Sequence, residues 1–375
     1  MQLLPFSIDK CLRFREIELV KKELQFFIDK KVPQVKFVDR TFNCRHDHAM
    51  AIWTYIHEHD NGITNFHFEV SADLLNEKEI ALINRMRPGL IQLEIGVQSA
   101  NEITIREINR TMKIDVLSTI VDKIKKGNNV HQHLDLIAGL PYEGYESFGK
   151  SFDRVYKMNP EQLQLGFLKV LKGSVMHDRA QEYGIVYQDR APYEVLSTKW
   201  LTYAEVIRLK QIEEMVEVYY NSGQFCCTMA ALEQEFASPF CMYECLAAYY
   251  DEKNAFAVSH SRIGRYEILY DFIVKTCKER SEQYMEMLTL DMYLRDNVKK
   301  RPEFLRESGV SSDEAAAFYK KEEKERTYLK AYEGYDRRQM RKMTHLERID
   351  GKTVLFDYKN RDPLTGNAAI YYLSE

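Results

Sequence analysis

Polar side chains able to bind or transform a ligand recur at one kind of place in the first half of this sequence: the end of a short apolar run. Val35-Lys36-Phe37-Val38 leads into Asp39-Arg40-Thr41-Phe42-Asn43, and Asn65-Phe66-His67-Phe68 leads into Glu69. The run from Leu90 passes through Gly96-Val97-Gln98-Ser99, and Arg110 lies twelve residues past Gln98. The run from Val130 carries Asp135 and passes into Gly139-Leu140-Pro141-Tyr142-Glu143, and the run from Gln162 continues to Lys172-Gly173-Ser174. A carboxylate accepts hydrogen bonds and a carboxamide both donates and accepts them. A glycine turn lets the backbone come close to whatever binds there. Each residue taken alone has a plainer use. Glu69 or Asp135 can cap the following helix, Gln98 and Ser99 can serve as N-terminal capping groups, and Arg110 can be a surface helix residue.

Metal chemistry finds less support. The seven cysteines (Cys11, Cys44, Cys226, Cys227, Cys241, Cys245 and Cys277) are odd in number and follow no disulfide spacing. Cys241 and Cys245 share a helix face at i,i+4, with Cys226-Cys227 nearby, but no His or acidic partners accompany them at a metal-binding spacing, so they read as buried thiols. His46-Asp47-His48 sits at the start of a helical pattern, where i and i+2 side chains diverge, so it reads as a solvated helix start.

Hydrophobic periodicity supplies the elements that must hold these groups. Helices are expected over residues 16–30, 46–58, 76–87, 101–109, 114–126 and 146–157, and strands over 35–39, 65–70, 90–97, 130–137 and 162–170. A strand every 25–40 residues with a helix between is the length of a βα unit. Five such units in succession make a parallel sheet, either open or part of a (β/α) barrel, with its chemistry at the C-terminal strand ends. From about 198 to 344 the pattern is helical. Within it, 312–344 carries balanced charge and reads as solvated helix faces. Residues 352–358 and 368–373 flank the turn-rich Asp362-Pro363-Leu364-Thr365-Gly366-Asn367 and read as a β-hairpin. The expected fold class is therefore α/β: a partial (β/α) barrel over 1–195, then a mostly helical domain over 196–375 ending in a hairpin.

The composition excludes several classes. With 45% hydrophobic and 29% charged residues the chain is neither disordered nor fibrous. Lys and Arg number 53 against 57 Asp and Glu, a formal charge of −4, which gives no general case for nucleic acid or an anionic membrane. No stretch reaches the roughly 18 apolar residues of a membrane span. No apolar signal core follows Met1, so a reduced cytoplasmic protein is expected.

Six segments together carry a family likeness: Phe37-Val38-Asp39-Arg40-Thr41-Phe42-Asn43, Phe68-Glu69-Val70, Glu94-Ile95-Gly96-Val97-Gln98-Ser99, Asn109-Arg110, Asp135-Leu136-Ile137-Ala138-Gly139-Leu140-Pro141 and Leu171-Lys172-Gly173-Ser174-Val175-Met176. In order and spacing, across about residues 12–180, they resemble the core of radical S-adenosylmethionine (SAM) enzymes. The resemblance is greatest to the cobalamin-binding-domain type, whose barrel precedes a C-terminal domain of unknown function. The resemblance implies a TIM-like barrel and a nucleotide-like pocket that takes SAM. It implies that Glu69 contacts the methionine or ribose region, Gln98 reaches the ribose, Arg110 pairs with the SAM carboxylate, Asp135 bonds a ribose hydroxyl, and the Gly139 turn admits the adenine. It also implies a [4Fe–4S] cluster on a CxxxCxxC loop, which cleaves SAM reductively for radical or methyl-transfer chemistry.

The sequence contains no CxxxCxxC, and one thiolate at Cys44 cannot hold a cluster. Ser7 to Arg15 resembles the segment that follows the cluster loop in the family. The expectation is thus an N-terminally truncated member without the first barrel strand or the cobalamin domain, lacking ligands for [4Fe–4S] and cobalamin and inactive alone. The alternative expectation is a non-catalytic barrel fragment that binds a nucleotide-like ligand or a protein partner. Either way the 35–39 strand becomes an exposed edge, open to self-association or a protein partner. Pro5 limits how far the leader Met1-Gln2-Leu3-Leu4-Pro5-Phe6 can pair with it.

Overall fold

The computed structural model describes residues 12–373; Cys11 and the leader lie outside them. These residues form two compact units. The first comprises the described residues up to Glu217 with Ser238–Glu244, and the second comprises Val218–Ala237 with the residues from Cys245 onward. Among the described residues no helix is long and apolar enough to cross a membrane.

The first unit opens with α1 (Ile17–Asp29), β1 (Gln34–Lys36), α2 (His46–Glu58), β2 (Asn65–Val70), α3 (Glu77–Ile83) and β3 (Ile91–Gln98). It continues through α4 (Glu102–Glu107), α5 (Ile114–Lys125), β4 (His131–Ala138), α6 (Tyr145–Tyr156) and β5 (Gln162–Phe167). The five strands form one parallel sheet in sequential order. Then follow α7 (Val175–Asp178), the short antiparallel pair β6 (Val186–Tyr187) and β7 (Val195–Ser197), and α8 (Tyr203–Val216).

Alternation along each strand gives the sheet two unlike faces. Phe66, Phe68, Ile91, Leu93, Ile95, Leu134, Leu136, Leu163 and Leu165 are buried on one of them. Trp53 of α2 meets Phe68 edge-on there, and Gln132 donates to the Val121 carbonyl of α5 at 3.1 Å. The other face is polar almost throughout, which departs from the usual parallel sheet, apolar on both sides. Register aligns it in rows: His67, Gln92 and His131; then Glu69, Glu94, His133 and Gln162; then Gly96, Asp135 and Gln164.

Some boundaries differ from the sequence expectation for local reasons. The first strand ends at Lys36, although the Phe37 amide still donates to the His67 carbonyl at 2.9 Å. Beyond it the chain turns so that Phe42 packs against Phe68 and Trp53, which leaves Val38 91% exposed. The strand pairs only with β2, so it is an edge among the described residues, beside a cavity of about 820 Å³ lined in part by Phe27, Val35 and Phe37. Helix α3 stops at Ile83 rather than 87 because Arg87 turns away to grip Asp60 with two nitrogens, at 2.7 and 3.1 Å. His46 is not simply solvated: its Nδ1 lies 3.0 Å from the buried Glu79, which with Asn76 forms the capping box of α3.

The second unit holds α9 (Cys226–Leu232), the end of α10 (Pro239–Glu252), α11 (Arg262–Thr276), α12 (Ser281–Arg295), α13 (Ser312–Glu325) and α14 (Arg337–Met343). It ends in an antiparallel sheet of β8 (Thr344–Ile349), β9 (Lys352–Arg361) and β10 (Ala368–Tyr372), ordered β10-β9-β8. The hairpin expected at 352–373 is present, and a third strand joins it. Asp350 and Gly351, both at positive φ, make the two-residue turn from β8 to β9. The 312–344 segment is more than solvated helix faces, since Tyr319, Leu329, Tyr332 and Met340 are buried in one cluster with Leu346 and Leu355. Apart from the buried Glu322, its charges occupy outward positions and hide that inner stripe from a composition reading.

Candidate ligand-binding site

The end of β3 shapes the site. A bulge shifts the register between Gly96 and Gln98, and Gln98 adopts φ 72°. That left-handed turn folds the Gln98 side chain back over Gly96: a Cβ placed on Gly96 would stand 2.5 Å from Gln98 Nε2 and 3.6 Å from Arg110 Nη1. Arg110 reaches the same spot because α4 closes in a Schellman turn. Asn109 is left-handed at φ 60°, its amide donates to Arg106, and the Arg110 amide donates to Ile105 at 3.0 Å. The capping of α4 falls to Asn101, whose side chain accepts from Ile103 and Thr104. Gln98 is not a helix cap.

Glu69 and Asp135 join this pair from β2 and β4. Glu69 is half-buried, and its carboxyl is pushed up by burial and then by the nearby carboxylates of Glu94 and Asp135. Burial also raises Asp135, opposed by His133. Burial lowers the Arg110 guanidinium against the charges of Asp73, Glu69 and Asp135. The four expected residues therefore share one neighbourhood at the C-terminal strand ends. No hydrogen bond or ion pair ties the side chains of Glu69, Gln98 or Arg110 to another described residue. Such a set of half-buried groups suits an amphoteric ligand, with the guanidinium facing an anion and the carboxylates facing hydroxyls or a cation.

Gly139 lies at the end of β4 with φ 88°, which calls for glycine. The space its Cβ would fill is taken by Val195 Cγ1 at 2.8 Å, so its bareness serves packing against β7. Just beyond, Glu143 is 1% exposed. Its Oε1 accepts from the hydroxyls of Ser99 and Ser151, each at 2.7 Å, while Oε2 has no partner. Burial pushes this carboxyl up to about 7 against those two hydroxyls. The contact ties the β3 end to the β4 end, and so locks the loops that carry Gln98 and Gly139.

Sequence reasoning passed over the residues beneath the site. Lys36 Nζ and His67 Nε2 lie 3.0 and 2.9 Å from Glu94 Oε2, and His133 Nε2 lies 3.0 Å from Asp135 Oδ1. The His67 contact first, then Lys36, holds the Glu94 carboxyl down at about 2 despite its burial. The signal was present as polar residues at i,i+2 in four strands: His67 and Glu69, Gln92 and Glu94, His133 and Asp135, Gln162 and Gln164. Among the described residues no group of three or more His, Cys, Asp or Glu side chains is placed to hold a metal ion.

Oxygen-independent coproporphyrinogen III oxidase of Salmonella typhimurium is 29% identical over 107 residues, covering 27% of this chain and 23% of that protein. The oxygen-independent coproporphyrinogen-III oxidase-like protein HemZ of Bacillus subtilis is 28% identical over 119 residues, covering 30% and 22%. The matches thus span about a quarter of the length of these curated relatives. Among solved structures, the radical S-adenosylmethionine methyltransferase TsrM from Kitasatospora setae, with cobalamin and a [4Fe–4S] cluster bound, aligns at TM-score 0.42 and 12% identity over 50% of this chain and 38% of that one. The cobalamin-dependent S-adenosylmethionine radical enzyme OxsB aligns at 0.46 and 10% over 78% and 55%. A model of the radical SAM superfamily matches residues 7–155, and one described as a protein of unknown function, DUF4080, matches residues 181–363. The chain thus carries a radical SAM domain followed by a C-terminal DUF4080 domain.

Proposed function

We propose that the first unit binds S-adenosylmethionine at the C-terminal ends of its strands, in the service of radical or methyl-transfer chemistry. The observation that carries this reading is the convergence of Gln98 and Arg110 above Gly96, beside two raised carboxyls and without protein partners. Arg110 would take the ligand carboxylate, Glu69 the methionine or ribose region, and Gln98 and Asp135 the ribose hydroxyls. The Gly139 turn would border the adenine. When bound at a reduced [4Fe–4S] cluster, SAM supplies a 5′-deoxyadenosyl radical in this superfamily. The cysteines here do not fit such a cluster, because no three thiols converge among the described residues and the sequence lacks CxxxCxxC. We therefore assign binding and orientation of SAM to this chain, and no reductive step. No residue is assigned to cobalamin. Free thiols at the six described cysteines fit a reducing, cytoplasmic setting.

The second reading is a SAM-binding barrel piece that works with a partner docked along β1, which pairs only with β2 among the described residues. Two measurements test these readings together. Calorimetric titration with SAM is expected to show saturable binding that weakens at least tenfold in Arg110→Ala. Anaerobic reconstitution with iron and sulfide is expected to give no [4Fe–4S] spectrum. Absence of saturable binding ends the SAM reading, and a stoichiometric cluster that cleaves SAM ends the claim that this chain lacks the reductive step.

A further inference from the structure

Beside the ligand-binding groups, the polar face of the sheet carries a connected series of basic and acidic side chains that runs from the edge strand inward. Lys36 on β1 and His67 on β2 both contact Glu94 on β3, at 3.0 and 2.9 Å. Register sets Glu94 beside His133 on β4, and His133 Nε2 stands 3.0 Å from Asp135 Oδ1. His67 and His133 are only 8% and 7% exposed. His133 and Asp135 are i and i+2 on one strand, so their side chains stand side by side. Neither Nε2 nor Oδ1 has an aligned hydrogen-bond partner, and the pairing is one of charge. Oδ1 is itself shut off from solvent, while the Asp135 side chain as a whole keeps 20% of its surface exposed, so a ligand would meet the carboxyl on its open side.

The capacity of that carboxyl to accept from a ligand depends on ionisation. A carboxyl buried this far tends to neutralise, and a neutral carboxyl accepts from a hydroxyl more weakly than a carboxylate does. An opposite charge nearby prevents this. We propose that His133, held as an imidazolium between Asp135 and Glu94, is a positioning residue that keeps the Asp135 carboxylate ionised and ready to accept a hydroxyl of the bound ligand. The inference rests on the SAM reading above. Asp135 is faced by His133 on its own strand, Glu94 on β3, Lys36 on β1, Glu69 on β2, Gln164 in register on β5, and Arg110. His133 is faced by Asp135, Glu94, Gln164 and His131. Burial works against the charged imidazole, and Asp135 and Glu94 overcome it, so His133 ends above its ordinary value. Asp135 is raised by burial and drawn down by His133. Loss of the His133 charge must let Asp135 rise further. Binding that needs the carboxylate fails as pH falls through the Asp135 pKa, so this failure must then set in at higher pH.

The test measures SAM affinity from pH 5 to 8 in the full chain and in His133→Gln, Asp135→Asn and the double variant. In His133→Gln the acid midpoint of binding is expected to move up by about one pH unit, the size of effect an adjacent opposite charge exerts. Its affinity at pH 8 should stay within about threefold of wild type, because Asp135 is ionised there in both. Asp135→Asn is expected to lose about tenfold at pH 8, and the double variant should match it. An unmoved midpoint, or a further tenfold loss in the double variant, overturns the role of His133. Wild type that binds no SAM at any pH overturns the SAM reading and this inference with it. If His133→Gln does not fold, imidazole nitrogen shifts in the wild-type protein decide instead: His133 protonated at pH 7 supports the role, and His133 neutral at pH 6 refutes it.

Discussion

Alanine at Gly96 should disable the site while leaving the fold in place. The added Cβ would stand 2.5 Å from Gln98 Nε2 and 3.6 Å from Arg110 Nη1, and the other atom within 4 Å is Gln98 Cδ at 3.7 Å. All are ends of flexible side chains. Gly96 does not have a positive φ, so alanine brings no backbone strain. To recover an ordinary contact of about 3.5 Å the Gln98 amide must retreat by about 1 Å. Holding it off its preferred rotamer costs about 1 kcal/mol, and the smaller unfolded-state entropy of alanine offsets this by about 0.4–1 kcal/mol. Global stability should hardly change. The ligand should lose about one neutral hydrogen bond, and the displaced neighbour Arg110 should lose part of a charged one. Together these amount to about 2 kcal/mol, or roughly thirtyfold in Kd. Calorimetric titration with SAM at pH 7.5, paired with a thermal melt, reads both quantities. Adding Gln98→Ala to Gly96→Ala removes the clash and should return part of the Arg110 contribution. Unchanged affinity in Gly96→Ala, with an unchanged melt, would refute the claim that Gln98 and Arg110 meet the ligand above Gly96.

Three further outcomes follow from contacts elsewhere. The Glu143 carboxyl titrates near 7 in the folded chain, above its unfolded value, so the stability it contributes is present at acid pH and is lost as pH rises through about 7. Glu143→Gln should therefore flatten the pH dependence of urea unfolding between pH 5 and 8, and a slope equal to wild type would contradict the assignment. In the second unit Tyr332 donates its hydroxyl to the buried Asp357, which also accepts from the Lys359 amide at 3.0 Å. Tyr332→Phe should cost about 1–2 kcal/mol in chemical denaturation, and a loss under a few tenths would show the hydroxyl to be idle. At β1, an edge among the described residues, the open backbone and exposed Val38 favour self-association; sedimentation should show concentration-dependent oligomers, and a stable monomer with protected amides at 34–37 would show the edge already closed.

Some of this protein is legible from local sequence. Strand β2 occupies the expected 65–70 and α2 the expected 46–58, because alternation and helical periodicity are short-range patterns that follow from backbone geometry. The strand ends were legible for the same reason, and among the residues near them the resemblance to radical SAM enzymes singled out Glu69, Gln98, Arg110 and Asp135 before any coordinates. The strand at Thr344–Ile349 was not legible, although Asp350-Gly351 marked its turn, because the Lys, Arg and Glu around it suggested exposed helix. Nor was the buried role of Tyr332, whose partner Asp357 lies 25 residues away.

What tertiary structure decided is how the side chains meet. A one-residue bulge turns Gln98 back over Gly96, and a Schellman turn brings Arg110 to the same place. Parallel register sets Glu94 beside His133, so that Lys36, His67, Glu94, His133 and Asp135, from four strands, form one connected series. Periodicity shows which face of a strand a residue occupies, since that depends on its own backbone. It cannot show which residue of the neighbouring strand stands opposite, because register is set by packing and by the loops between. The charge that governs Asp135 comes partly from strands distant in sequence, so its state is a property of the assembled sheet.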